Sequence, residues 1–288
     1  MQEPSARTSR LAIAAGLAAV LLVGGGGFLI GRMTASAPPA PLPPVVAPGP
    51  APSLAPEAAR DLERADLIAL GQRAADSFAS GETLPKKIRD AAGRRFSLWL
   101  PFGCAGPTDA DSGLSMRWRY DESSEVLRVT ADPVRWTAAD WGLVGARAPA
   151  SADGFWVGRP WLSSGACPAR TEQAVPRGTE AITLPGQSLA IAQFTFNEGD
   201  RGTRDGVRPF ETVQRIAKGR FDGSAGFRLR VNGRIEPVSG GEPVRCVQPA
   251  GNEQRPICVI GALIDSVELE NPASGETLAT WSMRRAGK

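Results

Sequence analysis

The chain has no histidine anywhere in its 288 residues. That absence removes the Ser-His-Asp triad, the Cys-His pair and every imidazole metal site at once. Lysine occurs four times and tyrosine once. A Ser-Lys dyad would need one of those lysines, and none stands in an S-x-x-K pattern. A surplus of one charge is also lacking: the net charge is +3, too little for a nucleic-acid binder, which needs a basic stripe. No C-x₂₋₄-C pair occurs among the four cysteines, Cys104, Cys167, Cys246 and Cys258, so a zinc site is disfavoured. No cofactor is expected.

Two fragments look like chemistry and lack its parts. "GQSLA" (residues 186–190) has the outline of a nucleophile elbow, but its base is missing. "DADSG" (residues 109–113) resembles a calcium loop whose glycine comes one place early and whose twelfth position is Tyr120 instead of a bidentate glutamate. It reads as a polar turn. Glu198 and Asp200 read as solvated loop charges. Two carboxylates suffice for a glycosidase, and their separation is a property of the fold, so a glycan hydrolase stays open as a third reading.

What is abundant lies at the front. Residues 11–31, "LAIAAGLAAVLLVGGGGFLIG", carry no charge. As a helix they would span roughly 30 Å, the thickness of a bilayer core. Arg7 and Arg10 precede the run, Arg32 closes it, and the next basic residue is Arg60. The positive-inside rule then leaves residues 1–10 as a cytoplasmic stub and carries the rest across the membrane. Ala35 and Ala37 form an A-x-A pair, as a signal-peptidase site would. The apolar core is longer than a signal peptide's, however, and Pro38 follows the potential cut. The expectation is an uncleaved signal anchor in the inner (plasma) membrane, with the C-terminal part in the periplasm.

Nine prolines fall between Pro38 and Pro56. Proline fixes φ and lacks an N–H, so residues 32–55 read as an extended polyproline spacer. "PPAPLPP" also contains a P-x-x-P ligand pattern, but a spacer is the plainer reading. Residues 56–81 then read as one amphipathic helix. Proline opens it, Gly81 stops it, and Leu67, Leu70, Ala74 and Phe78 form a stripe.

From Lys86 on, the period is two. Residues 86–285 are expected to form a mainly β domain, a sandwich or barrel-like fold. It could be one domain or two small β halves, about 86–165 and 180–285. In "LSMRWRYDESSEVLRVTA" a loop at residues 121–124 pairs Trp118 with Leu127 and sets Arg117, Arg119 and Arg128 on the other face. In "GFRLRVNGRIEPV" a three-residue loop at 231–233 gives better-matched faces than a two-residue Asn-Gly turn. "SLAIAQFTF" reads as a strand. "ICVIGALIDSVELENPASGETLATW" reads as a long strand, a turn at residues 271–275 and a final strand.

Cys246 and Cys258 flank a segment that reads as a hairpin loop, which leaves Cys104 for Cys167. An even count on a chain that leaves the cytoplasm favours disulfides. Six of the seven tryptophans lie between Trp99 and Trp161. Trp136, Trp141, Trp156 and Trp161 sit in Gly/Pro/Ala-rich segments and are the candidate ligand or partner surface; filling a core is the competing use. Two basic stretches, 86–95 and 201–234, read as solvated faces. The layout of stub, anchor, spacer and β-rich head is similar to that of several bacterial envelope proteins. With no catalytic constellation in the sequence, the expected role is non-catalytic, through contact with another envelope protein. The alternative is a carbohydrate or cell-wall binding module.

Overall fold

The computed structural model describes residues 60–145, 148–168, 187–196, 210–238 and 241–283. The stub, anchor and spacer read above lie outside the described residues. Among those described, no helix is long and apolar enough to cross a membrane.

The fold is mainly β, with two sheets. In chain order come β1 (Leu62–Glu63), α1 (Arg64–Ala79), α2 (Lys86–Arg89), β2 (Arg95–Phe102), β3 (Met116–Asp121), β4 (Val126–Ala131) and β5 (Val134–Trp136). A 3₁₀ turn (Ala139–Trp141) leads to β6 (Ser151–Trp156) and β7 (Leu189–Thr195). Then follow β8 (Phe210–Arg215), β9 (Phe227–Ile235), β10 (Val244–Val247), β11 (Ile257–Asn271) and β12 (Glu276–Ser282). Among the described residues the larger sheet runs β1-β2-β9-β11-β7-β6-β5, with β10 and β12 also on β11, and its ends do not meet. It is an open sheet, not the barrel allowed by the sequence. The smaller sheet is β3-β4-β8. Strands from both halves of the sequence interleave in the larger sheet, β2 beside β9 and β6 beside β7, so the halves are not separate domains.

The 15-residue strand β11 organises the larger sheet. Its first part lies between β10 and β7, and its second between β9 and β12. The register shifts between Ile264 and Ser266. That bulge changes the parity, so Cys258, Ile260, Ala262 and Ile264 before it and Val267 and Leu269 after it all enter one core. Leu67, Leu70 and Ala74 of α1 pack into that core, together with Trp118, Leu127 and Val129 of the smaller sheet. Helix and small sheet are thus joined to the large sheet through one shared hydrophobic core.

Three local expectations are corrected. The helix begins at Arg64 rather than near residue 56, because Leu62 and Glu63 pair in parallel with Phe96 and Ser97 and Leu62 is buried. Asp66, at the third helical position, accepts the Glu63 N–H at 3.0 Å. The β3–β4 hairpin has the expected faces, but Trp118 stands opposite Val129, two places from the anticipated partner. Its loop is therefore 122–125, closed by Glu125 at φ 54°. No turn exists at residues 231–233. Asn232 and Gly233 lie inside β9, where a Cβ on Gly233 would come 2.2 Å from the Leu263 carbonyl oxygen. The glycine serves close backbone approach, not reversal. The turn at 271–275 is present, with Gly275 N–H donating to Asn271 O at 2.8 Å.

Candidate functional site

The four candidate tryptophans separate into a packed trio and one exposed ring. Trp136 and Trp141 are buried and Trp156 is half-buried, whereas Trp161 is 65% exposed. The first three pack on one another, with ring centroids 5.5 Å (136–141), 5.2 Å (136–156) and 6.2 Å (141–156) apart. The first two contacts are edge-to-face, a geometry that adds to burial. The reason is local. On β6 and β7 the side chains alternate, sending Phe155, Leu189 and Ile191 into the main core and Ala152, Ala190 and Ala192 to the other face. The small alanines leave room for the three indoles and Leu143 to cover them. Trp136 and Trp141 are thus core, not surface. Trp99 is also occupied: the guanidinium carbons of Arg228 and Arg230 lie 4.1 and 5.1 Å from its ring centroid.

Trp161 sits on the turn after β6. Leu162 N–H closes the turn on Arg159 O at 2.9 Å, and Arg159 holds φ 50°. Beneath it lies Arg64, the first residue of α1, which is 2% exposed. Its Nε donates to Leu162 O at 2.9 Å and its Nη1 to Trp99 O at 2.9 Å. Its Nη2 donates to Gly158 O at 2.6 Å and to Arg159 O at 3.2 Å. A planar fork of N–H groups can serve several carbonyls at once, which an ammonium cannot do in this geometry. No carboxylate among the described residues pairs with Arg64. Burial, and then the neighbouring Arg159 charge, push its pKa down to about 10, so it stays charged at neutral pH. The helix N-terminus disfavours a cation as well. The carbonyl dipoles carry the compensation. Nothing in the local sequence pattern marks Arg64 as buried.

The same turn is tied from its far side. Cys167 is joined to Cys104 and Cys246 to Cys258. Arg159 Nη2 donates to Pro101 O at 3.3 Å and lies 3.1 Å from Cys104 Sγ. Cys246 and Cys258 stand directly opposite each other on β10 and β11.

Among the described residues no group of three acids or cysteines could hold a metal ion. A groove of about 130 Å³ between α1 and β10 is lined by Phe78, Leu84, Val244, Glu82 and Glu242. It is smaller than the roughly 300–1,000 Å³ of ordinary ligand pockets. What the described residues define is a disulfide-bonded, mainly β head that presents one indole on a hydrogen-bonded turn. No protein family, curated protein or solved structure matches the chain.

Proposed function

We propose that this is a single-pass protein of the plasma membrane whose β head, in the periplasm, binds another envelope protein and carries out no bond-making chemistry. Residues 11–31 are the anchor, with the N-terminus in the cytoplasm, and residues 32–55 hold the head away from the lipid. The support for the location is the uncharged run with Arg7 and Arg10 before it, together with two closed disulfides.

One observation carries the binding role: Trp161 is held exposed on a turn fixed by a buried guanidinium and a nearby disulfide. A large indole costs free energy in water unless something covers it, and a rigid one loses little entropy when it docks. The carbohydrate alternative needs a row of surface rings. Trp161 is the one exposed tryptophan, so a protein contact is the better reading.

The test is photocrosslinking in intact cells. A photoreactive residue replacing Trp161 is expected to capture one defined membrane or periplasmic protein. The same residue replacing Val213, which is 50% exposed, is expected not to capture it. Equal adducts from both positions, or none from 161, would overturn the binding role. Recovery of the chain in the soluble fraction with free thiols would overturn the location.

A further inference from the structure

Strands β3 and β4 turn Trp118, Leu127 and Val129 inward and a row of arginines outward. In the observed register Arg119 stands directly opposite Arg128, and Arg117 lies two residues along on the same face. Like charges in directly opposed positions destabilise a strand pair. Two of the three are compensated. Arg117 Nη1 meets Asp132 Oδ2 at 3.1 Å, and Arg128 is bonded to Glu211 on β8. Arg119 is exposed and has no partner among the described residues. Three guanidiniums against two carboxylates leave one positive charge over, at the crowded cross-strand position.

The segment after β2 folds back beside these arginines, with Thr108 N–H donating to Trp118 O at 2.9 Å. Together they border a half-open pocket of about 200 Å³, lined by Arg117, Arg119, Arg128, Thr108, Thr130 and Glu211. Its size falls below the roughly 300 Å³ at which pockets begin to take whole drug-sized ligands. It suits one small group.

We propose that this pocket binds a tetrahedral oxyanion, a phosphate-type group, between Arg119 and Arg128. A guanidinium fork pairs with such oxygens two at a time. A phosphate monoester offers three acceptor oxygens, so both forks can take a pair with one oxygen shared; a carboxylate offers two and cannot supply both. The anion turns the Arg119–Arg128 repulsion into a bridge, which gives the site a binding energy that an isolated surface arginine lacks. The Cys104–Cys167 disulfide joins the segment bearing Thr108 to the segment bearing Trp161, so this site and the contact turn share one covalent brace. The anion site does not depend on the membrane reading.

The experiment is calorimetric titration of the purified full chain with inorganic phosphate at constant ionic strength, with acetate and chloride in parallel. Saturable phosphate binding at one site is expected, about fivefold or more tighter than acetate. Arg119→Gln is expected to weaken it about tenfold, while Arg220→Gln, an exposed arginine on another turn, changes it less than about twofold. Near-UV circular dichroism checks the fold of each variant. Should Arg119→Gln lose its signal, Arg119→Lys keeps the charge without the fork and is expected to bind about threefold more weakly. Heat that never saturates, binding unchanged in the folded variant, or acetate binding as tightly as phosphate would each overturn the assignment.

Discussion

Arg64 Nε donates to the carbonyl of Leu162 at 2.9 Å, across 98 positions of sequence. The bond ties the first turn of α1 to the residue next to Trp161. With its three companion bonds it makes a buried cation the keystone of the turn that carries Trp161. Arg64→Met would leave these carbonyls unpaired and is expected to destabilise the head by about 3 kcal/mol in urea denaturation. Arg64→Lys keeps the charge but cannot serve four acceptors, and is expected to recover less than half. The folded pKa is depressed to about 10. The penalty for carrying the charge is therefore constant below that pH and relieved only above it. From pH 5 to 9 this residue should add no slope to the stability.

The buried and exposed indoles should respond in opposite ways to truncation. Trp141→Ala removes the 2%-exposed member of the trio and is expected to cost about 3–5 kcal/mol. Trp161→Ala is expected to change stability by less than about 0.5 kcal/mol while abolishing the adduct formed from a photoreactive residue at the exposed neighbour Ser163. Urea midpoints of the two variants, read beside the crosslinking yield, separate packing from contact.

The two disulfides close loops of different length, 63 and 12 positions apart in sequence. In the chain-entropy model, removing the longer loop's bridge costs about 4 kcal/mol and the shorter one's about 3. Cys104→Ser with Cys167→Ser should therefore lower the urea midpoint more than Cys246→Ser with Cys258→Ser. The first pair should also weaken capture at position 161, because it releases the segment that bears the indole.

Acid should act on the β3–β4 hairpin through Asp121. The Ser123 hydroxyl donates to Asp121 Oδ1 at 2.7 Å, and the Ser123 and Ser124 N–H groups donate at 2.9 and 3.3 Å. These bonds hold the carboxyl down to about 2, the Ser123 hydroxyl first among the causes. A depressed carboxyl stabilises the fold above its unfolded value, near 3.9, and loses that contribution as pH falls through about 2. NMR titration of the Asp121 carboxyl carbon is expected to show the low value, and Ser123→Ala to raise it.

The fold was legible in the sequence where local chemistry and tertiary demand agree. The turn at 271–275 has its own chemistry in Asn271 and Gly275, and α1 shows its stripe through Leu67, Leu70 and Ala74. It was misread where long-range pairing took over. Asn232 and Gly233 have the composition of a turn, but the Asn232 side chain bonds Ser266 and Glu268 across the sheet, at 3.2 and 3.0 Å. The strand neighbours on either side made reversal unnecessary. Leu62 and Glu63 could continue the helical pattern backwards, yet an edge beside Phe96 was available to pair with.

The candidate site was legible only in part. The density of tryptophan between Trp99 and Trp161 pointed to the right stretch. It could not tell three packed rings from one exposed ring, because that depends on which face of β6 and β7 carries alanine. The opposition of Arg119 and Arg128 was hidden for a related reason: the expected register set the same arginines on one face but did not pair these two.

The sequence by itself determined the absent chemistry, the charge-free run at the front, the proline stretch, the alternation of the strands and the small set of possible cysteine pairings. Each of these is set by residue types at short separations. Only the tertiary structure decided that Arg64 is buried, that the two halves interleave in one sheet, and that Trp161 alone among its kind faces solvent. Those outcomes rest on contacts between residues tens of positions apart, where what counts is the packing and hydrogen bonding available elsewhere in the fold.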